Sequence, residues 1–207
     1  QLQAWTGGRA VHYPSRGQLP YARDAVDASL VARRIAVLAS LARSEPVLVV
    51  ASASAVAEHT LRPADLSRGP GRIEVGQRIA LEAFAVGLVE AGYHVEPLVE
   101  APGQAARRGG LIDVWPVDTP NPFRLEFMGS EVESIRAFDP GTQRTIERLE
   151  RIDIGPATEW FFTRDELTDI AEYVGEPGRE SKRAEVEEER RSLQRGELPV
   201  PGLYGPL

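Results

Sequence analysis

The sequence predicts an α/β protein in two parts: an α/β body, and a smaller α+β unit in which one helix packs on an antiparallel sheet. Three observations carry this. A helix-period stretch at 27–42 runs into a short apolar run at 47–51 that reads as a strand. A break rich in proline and glycine follows at 62–72. Beyond the break, one helical stretch precedes several strand-like runs joined by short turn signals, and short connections between neighbouring strands mean antiparallel pairing.

The first 25 residues are rich in Gly, Pro and Arg and read as irregular chain with a short strand. In 27–42, Val31, Ile35, Leu38 and Leu41 recur at three- and four-residue spacing, while Arg33, Arg34 and Arg43 fall off that stripe. Pro46 ends the helix. The run 47–51 reads as a strand buried on both faces. Residues 52–59 read as a short helix opening at Ser52 or Ser54.

After the break, 77–91 reads as a helix with Ile79, Phe84, Leu88 and Ala91 toward a core, closed by Gly92. Strands are expected at 93–99, 111–116, Phe123–Met128, Glu131–Phe138 and 145–154. Pro120-Asn121-Pro122, Gly129-Ser130 and Asp139-Pro140-Gly141-Thr142 supply the turns. Thr163-Arg164-Asp165-Glu166 is a capping box that starts a helix with Leu167, Ile170, Ala171 and Val174 on its apolar stripe. The charged stretch 179–195, with pairs such as Glu187 and Arg191, reads as a solvated helix.

Composition narrows the function. The 207 residues are 42% hydrophobic and 27% charged, enough apolar mass for a real core. No run of about 18 apolar residues is present to span a bilayer. The net charge of −7 argues against non-specific DNA binding over the whole surface. Lys182 is the one lysine, so recognition of anions here would use guanidinium forks. With no cysteine, disulfides, thiol catalysis and Cys-based zinc sites are excluded, and a cytoplasmic location fits. The chain starts without methionine or a signal pattern and reads as a piece of a longer protein.

Catalytic signatures are missing. There is no P-loop, no dinucleotide fingerprint and no nucleophile elbow. His12, His59 and His94 are far apart and frame no metal site, so no metal and no cofactor is expected. Asp113 and Glu126, on neighbouring expected strands, read as polar residues of a solvated face rather than a catalytic pair.

The informative stretch is Arg107-Arg108-Gly109-Gly110-Leu111-Ile112-Asp113-Val114-Trp115-Pro116 and then 123–136. In the second run, Phe123, Leu125 and Phe127 should face the 77–91 helix, with Arg124, Glu126 and Met128 on the other side. Arginine beside an exposed apolar Met is interface composition. If the strands pair, Arg108 comes near Arg124. Periodicity alone favours a plainer reading, in which Arg124 pairs with a nearby acid such as Glu126 or Glu131.

These runs, with Phe138-Asp139-Pro140-Gly141-Thr142-Gln143-Arg144, resemble the module that bacterial transcription-repair coupling factors share with the excision-repair protein UvrB. Leu19-Pro20-Tyr21, Arg33-Arg34-x-Ala36-x-Leu38, residues 47–53 and Glu100-x-Pro102-Gly103 resemble it too, so the likeness covers nearly the whole chain from about residue 18. The Phe-Asp-Pro-x-Thr-Gln-Arg pattern and the lack of a Tyr-rich hairpin after Tyr21 are more similar to the coupling factors than to UvrB.

The resemblance implies a degenerate RecA-like body at 1–70, an inserted UvrA-interaction domain at 71–154 and a helical return to the body at 155–207. It implies a non-enzymatic chain that recruits UvrA of nucleotide excision repair to stalled RNA polymerase. RNA polymerase, DNA and ATP would be engaged only by regions outside this chain. It places UvrA contacts at Arg108, Arg124 and Met128, where Met128 stands at a position often Phe in the family, keeping an apolar anchor without the ring. The competing reading is a nucleic-acid-binding piece of a UvrB-like helicase.

Overall fold

The computed structural model describes residues 2–17, 27–161, 168–169 and 191–192. The expected capping-box helix and charged helix, and Leu19-Pro20-Tyr21, lie outside the described residues apart from those two short pairs. By internal contacts the chain divides into two compact units, 1–16 with 27–159 and 17–26 with 160–207. The elements below belong to the first.

Its N-terminal part is helix α1 (Leu2–Trp5), strand β1 (Ala10–Tyr13), helix α2 (Ala28–Ala42), strand β2 (Leu48–Ala51) and the short helix α3 (Ala53–Ala57). The side chain of Asp27 caps α2 by accepting from the Ser29 N–H at 2.8 Å, and hydrogen bonding from Ser29, first its side chain and then its backbone, holds the carboxyl below the usual range. Strands β1 and β2 pair in parallel, Ala10 opposite Leu48 through Tyr13 opposite Ala51, with α2 as the crossover. Tyr13, Val37 and Ala55 form a small core packed by Val49 and Ala51.

Two expectations for this part are corrected. Strand β2 is covered on one face only, since Leu48 and Val50 are exposed. An apolar β-branched run signals a strand, but not how many layers cover it. Arg34, expected off the apolar stripe, is 0% exposed and the largest fully buried side chain among the described residues. The buried Glu159 and the partly buried Glu58 meet it there.

Beyond a 3₁₀ turn at Asp65–Ser67 come strand β3 (Gly71–Glu74), helix α4 (Leu81–Glu90), strand β4 (His94–Val95), strand β5 (Gln104–Arg108) and strand β6 (Leu111–Val114). Strands β7 (Phe123–Met128), β8 (Glu131–Phe138), β9 (Thr145–Leu149) and β10 (Arg151–Ile154) follow. Strands β4 to β9 make one six-stranded sheet in sequence order, with β4 parallel to β5 and every later pair antiparallel. β3 pairs with β10 in a separate ribbon, Gly71 opposite Ile154.

Helix α4 starts four residues later than its apolar pattern suggests. Gly76, Gln77 and Ile79 spend their backbone bonds on the start of β8: Gly76 N–H donates to Val132 O, and Ile79 N–H to Ser130 O. The expected strand 93–99 shortens to two residues. β5 was not foreseen; it returns through Gly109 (φ 61), whose left-handed backbone makes the two-residue hairpin to β6. The apolar stripe of α4 packs as expected, with Phe84 and Leu88 buried against Ile112, Val114, Leu125 and Ile135. The Phe84 and Phe127 rings lie 5.7 Å apart.

Gly92 ends α4 at φ 90, and a Cβ there would stand 2.5 Å from Thr158 Cγ2 and 3.1 Å from the Thr158 backbone nitrogen. Gly92→Ala combines a left-handed backbone with overpacking and should cost about 1–3 kcal/mol, read as a lowered urea midpoint at unchanged slope.

Candidate functional site

Pairing of β6 with β7 sets Asp113 opposite Arg124, and pairing of β5 with β6 sets Arg108 opposite Leu111. Residues opposite each other share a face, and alternation puts Arg108, Asp113, Arg124 and Glu126 on the side away from α4. Leu125 and Phe127 point the other way into the core, as the pattern of β7 predicts.

Asp113 is the hub. It is 1% exposed, which corrects the expectation of a solvated strand position. Arg124 grips it with a two-pronged fork, Nε to Oδ1 and Nη2 to Oδ2, both at 2.7 Å. Arg108 Nη2 donates to the same Oδ2 at 2.8 Å. One carboxylate thus fixes two guanidinium groups, and charge-assisted forks are the strongest and most directional bonds of this kind. The bond to Asp113 raises the Arg124 pKa above its ordinary value, so the group is permanently charged. The plainer reading, pairing with Glu126 or Glu131, is replaced: the acid is Asp113, one strand away.

The 138–144 motif supports Arg124. The Phe138 ring lies under its guanidinium, with the centroid 4.6 Å from Cζ. Asp139 Oδ1 accepts from the Thr142 N–H at 2.7 Å and its hydroxyl at 2.9 Å, which ties the turn and holds the carboxyl below the usual range. Gln143, at φ 60, donates through Nε2 to Pro140 O and accepts from Arg124 Nη2 at 2.9 Å. The sequence pattern alone assigns neither Phe138 nor Gln143 this task.

Glu126 does not pair with Asp113. It accepts from Arg136 Nη2 at 2.8 Å and from the Ser134 hydroxyl at 3.0 Å, while Arg136 Nε is buried without a hydrogen-bond partner. Met128 ends β7, two-thirds exposed, on the same face and roughly 13 Å along the strand from Arg124. The structure therefore joins Arg108 to Arg124 and sets Met128 apart at the hairpin end.

Half of the Arg108 side chain and a fifth of the Arg124 side chain remain accessible. A guanidinium has five N–H donors. Arg108 uses only Nη2 on Asp113, and Arg124 uses Nε and Nη2, so both retain donors for an outside acceptor. The face holds fixed, charged donors at Arg108 and Arg124, with the exposed Met128 on the same face at the hairpin end. Both oxygens of Asp113 accept from guanidinium groups, which ties this buried carboxylate into the pairing of the two arginines. An apolar groove of about 370 Å³ lies between α4 and the β4–β5 edge. Of its charged lining residues Glu82, Glu90 and Arg107, Glu82 and Arg107 pair with each other at 2.8 Å. Among the described residues, no group of three or more His, Asp or Glu could hold a metal ion, and no helix is long and apolar enough to cross a membrane.

The model of the UvrB interaction domain family matches residues 72–160. The transcription-repair-coupling factor of Myxococcus xanthus is 39% identical over 166 residues, 79% of this chain and 14% of that protein. That of Bacillus subtilis is 38% identical over 146 residues, 70% of this chain and 12% of that protein. That of Escherichia coli is 30% identical over 143 residues, 69% of this chain and 12% of that protein. The chain thus spans 12% to 14% of the length of these three relatives.

Proposed function

This chain belongs to the transcription-repair-coupling factor family, with a UvrB interaction domain at residues 72–160, and from that premise we propose that its sheet face of Arg108, Arg124 and Met128 binds UvrA. The observation that carries the reading is the Asp113 hub. It pre-orders two guanidinium groups on the open face of the matched domain, and ordering before contact lowers the entropic cost of binding. Carboxylates on UvrA would meet the remaining donors, and an apolar spot would take Met128.

In this reading the chain is an interaction module, not an enzyme. It recruits UvrA of nucleotide excision repair to stalled RNA polymerase in the cytoplasm, while RNA polymerase, DNA and ATP are engaged by other regions of the family's proteins. Residues 71–154 are the inserted UvrA-interaction domain. The β3–β10 ribbon supports this, because it brings Gly71 beside Ile154, and an insertion needs its two ends adjacent. Residues 1–70 are a degenerate RecA-like body, supported by the parallel β1–α2–β2 unit, and 155–207 return to it.

Calorimetry of the chain with purified UvrA tests the reading. Wild type should bind and Arg124→Glu should lose at least about 100-fold in affinity, since reversal of a half-buried fork also sets a carboxylate against Asp113. Equal binding by a folded Arg124→Glu variant would remove this face from the interface.

A further inference from the structure

We infer that the interaction face continues across the sheet as a row of arginines, and that its partner meets Arg136 and Arg148 with carboxylates of its own. The inference rests on the reading of the Arg108–Arg124 face as a docking surface. Strand register sets Asp113, Arg124, Arg136 and Arg148 opposite one another on four successive strands, β6 to β9. Neighbouring strands lie about 4.8 Å apart, so three guanidinium-bearing residues stand within roughly 10 Å on one line.

Like charges directly opposite across a ladder destabilise a sheet. The chain answers them unevenly. Asp113 holds Arg124. Glu126 holds Arg136 by one nitrogen only, leaving Nε buried and unpartnered. Arg148 is exposed and has no ion pair among the described residues. The acids of β8 itself stand at the hairpin end: Glu131 lies opposite Met128, within 3.7 Å of Arg78, and Glu133 occupies the β-bulge. At Arg148 the local rule is broken with no ion-pair counterweight among the described residues, which marks a surface shaped for something outside the chain.

The spacing favours acidic side chains of a protein over nucleic acid. Duplex DNA carries a phosphate charge about every 1.7 Å along its axis. Such a rail would lie against Asp113 and Glu126 as well as the arginines. A protein can place single carboxylates at Arg136 and Arg148 and leave the acidic positions uncharged.

The test is the association of purified UvrA with wild type, Arg148→Glu and Arg33→Glu at low and physiological salt, each variant checked for an unchanged thermal melt. Arg33 is an exposed residue of α2, so its reversal changes net charge equally without touching the sheet. Arg148→Glu should weaken binding about 10-fold, mainly through slower association with a shallower salt dependence, as for charges at an interface rim. Arg33→Glu should stay within about two-fold of wild type.

If Arg148→Glu matches Arg33→Glu while Arg124→Glu still abolishes binding, the extension of the face to β9 is overturned and the docking reading of Arg108 and Arg124 stands without it. Wild type that fails to bind UvrA overturns both. Tight, steeply salt-dependent binding to duplex DNA that Arg148→Glu abolishes would overturn the choice of partner.

Discussion

Glu159→Gln should destabilise the first compact unit by about 3–5 kcal/mol, the cost of removing one member of a fully buried ion pair. Glu159 accepts from Arg34 Nε at 2.9 Å, and both side chains are completely inaccessible. Arg34 has four further contacts. Its Nη1 donates to Pro14 O at 2.8 Å and Glu58 Oε2 at 2.9 Å, its Nη2 donates to His59 O, and its guanidinium lies 4.3 Å from the Tyr13 ring centroid. Arg16 Nε adds a bond to Glu159 at 3.0 Å, and the Thr60 hydroxyl another at 3.2 Å. A neutral amide would offer one acceptor where the carboxylate offers two, and would turn N–H donors toward the arginines. Urea unfolding reads the loss.

The same chemistry predicts the sign of a rescue. Arg34→Met combined with Glu159→Leu replaces the pair with apolar volume and removes both desolvation penalties. The double variant should be more stable than Glu159→Gln alone, and Glu58 retains Arg16. A single-variant loss below about 1 kcal/mol would mean that water reaches the network, contrary to its burial. The network has architectural weight because its members come from β1, α2, the segment after α3 and the residues after β10. It locks the βαβ part to the end of the chain segment that carries the sheet.

Those two arginine sites show what was legible in the sequence. The alternation of β7 gave its core face correctly, because one-sided burial leaves a period of two. The partner of Arg124 was not legible, because Asp113 is named only by register. A two-residue hairpin at Gly129-Ser130, extended without interruption, would set Ile135 opposite Arg124. The bulge on β8 shifts the pairing so that Arg136 stands there instead. The clue lies in the apolar spacing: Val132, Ile135 and Ala137 step by three and then two, all toward the core. Glu159 left no such trace. It stands 125 residues from Arg34, and no local period announces a partner at that range.

Asp113→Ala should both loosen the fold and weaken UvrA binding, and the two effects separate the roles of the hub. Loss of three charge-assisted bonds at a buried carboxylate is expected to cost about 2–3 kcal/mol, less than at Glu159 because Arg108 and Arg124 can turn to water. Binding could move either way in principle. Asp113 competes with UvrA for the guanidinium groups, but it also fixes them in place. Burial decides between these effects. Asp113 is 1% exposed, so a partner cannot displace it and must use the donors it leaves over. Its removal lets two long side chains regain rotamer freedom that binding must then quench, which outweighs the donors it frees. The expected result is about 10-fold weaker affinity, against the larger loss for Arg124→Glu. Calorimetry of Asp113→Ala with UvrA, beside its urea midpoint, reads both. Tighter binding by a destabilised Asp113→Ala chain would show that the carboxylate acts as a competitor, and the pre-ordering argument would fall.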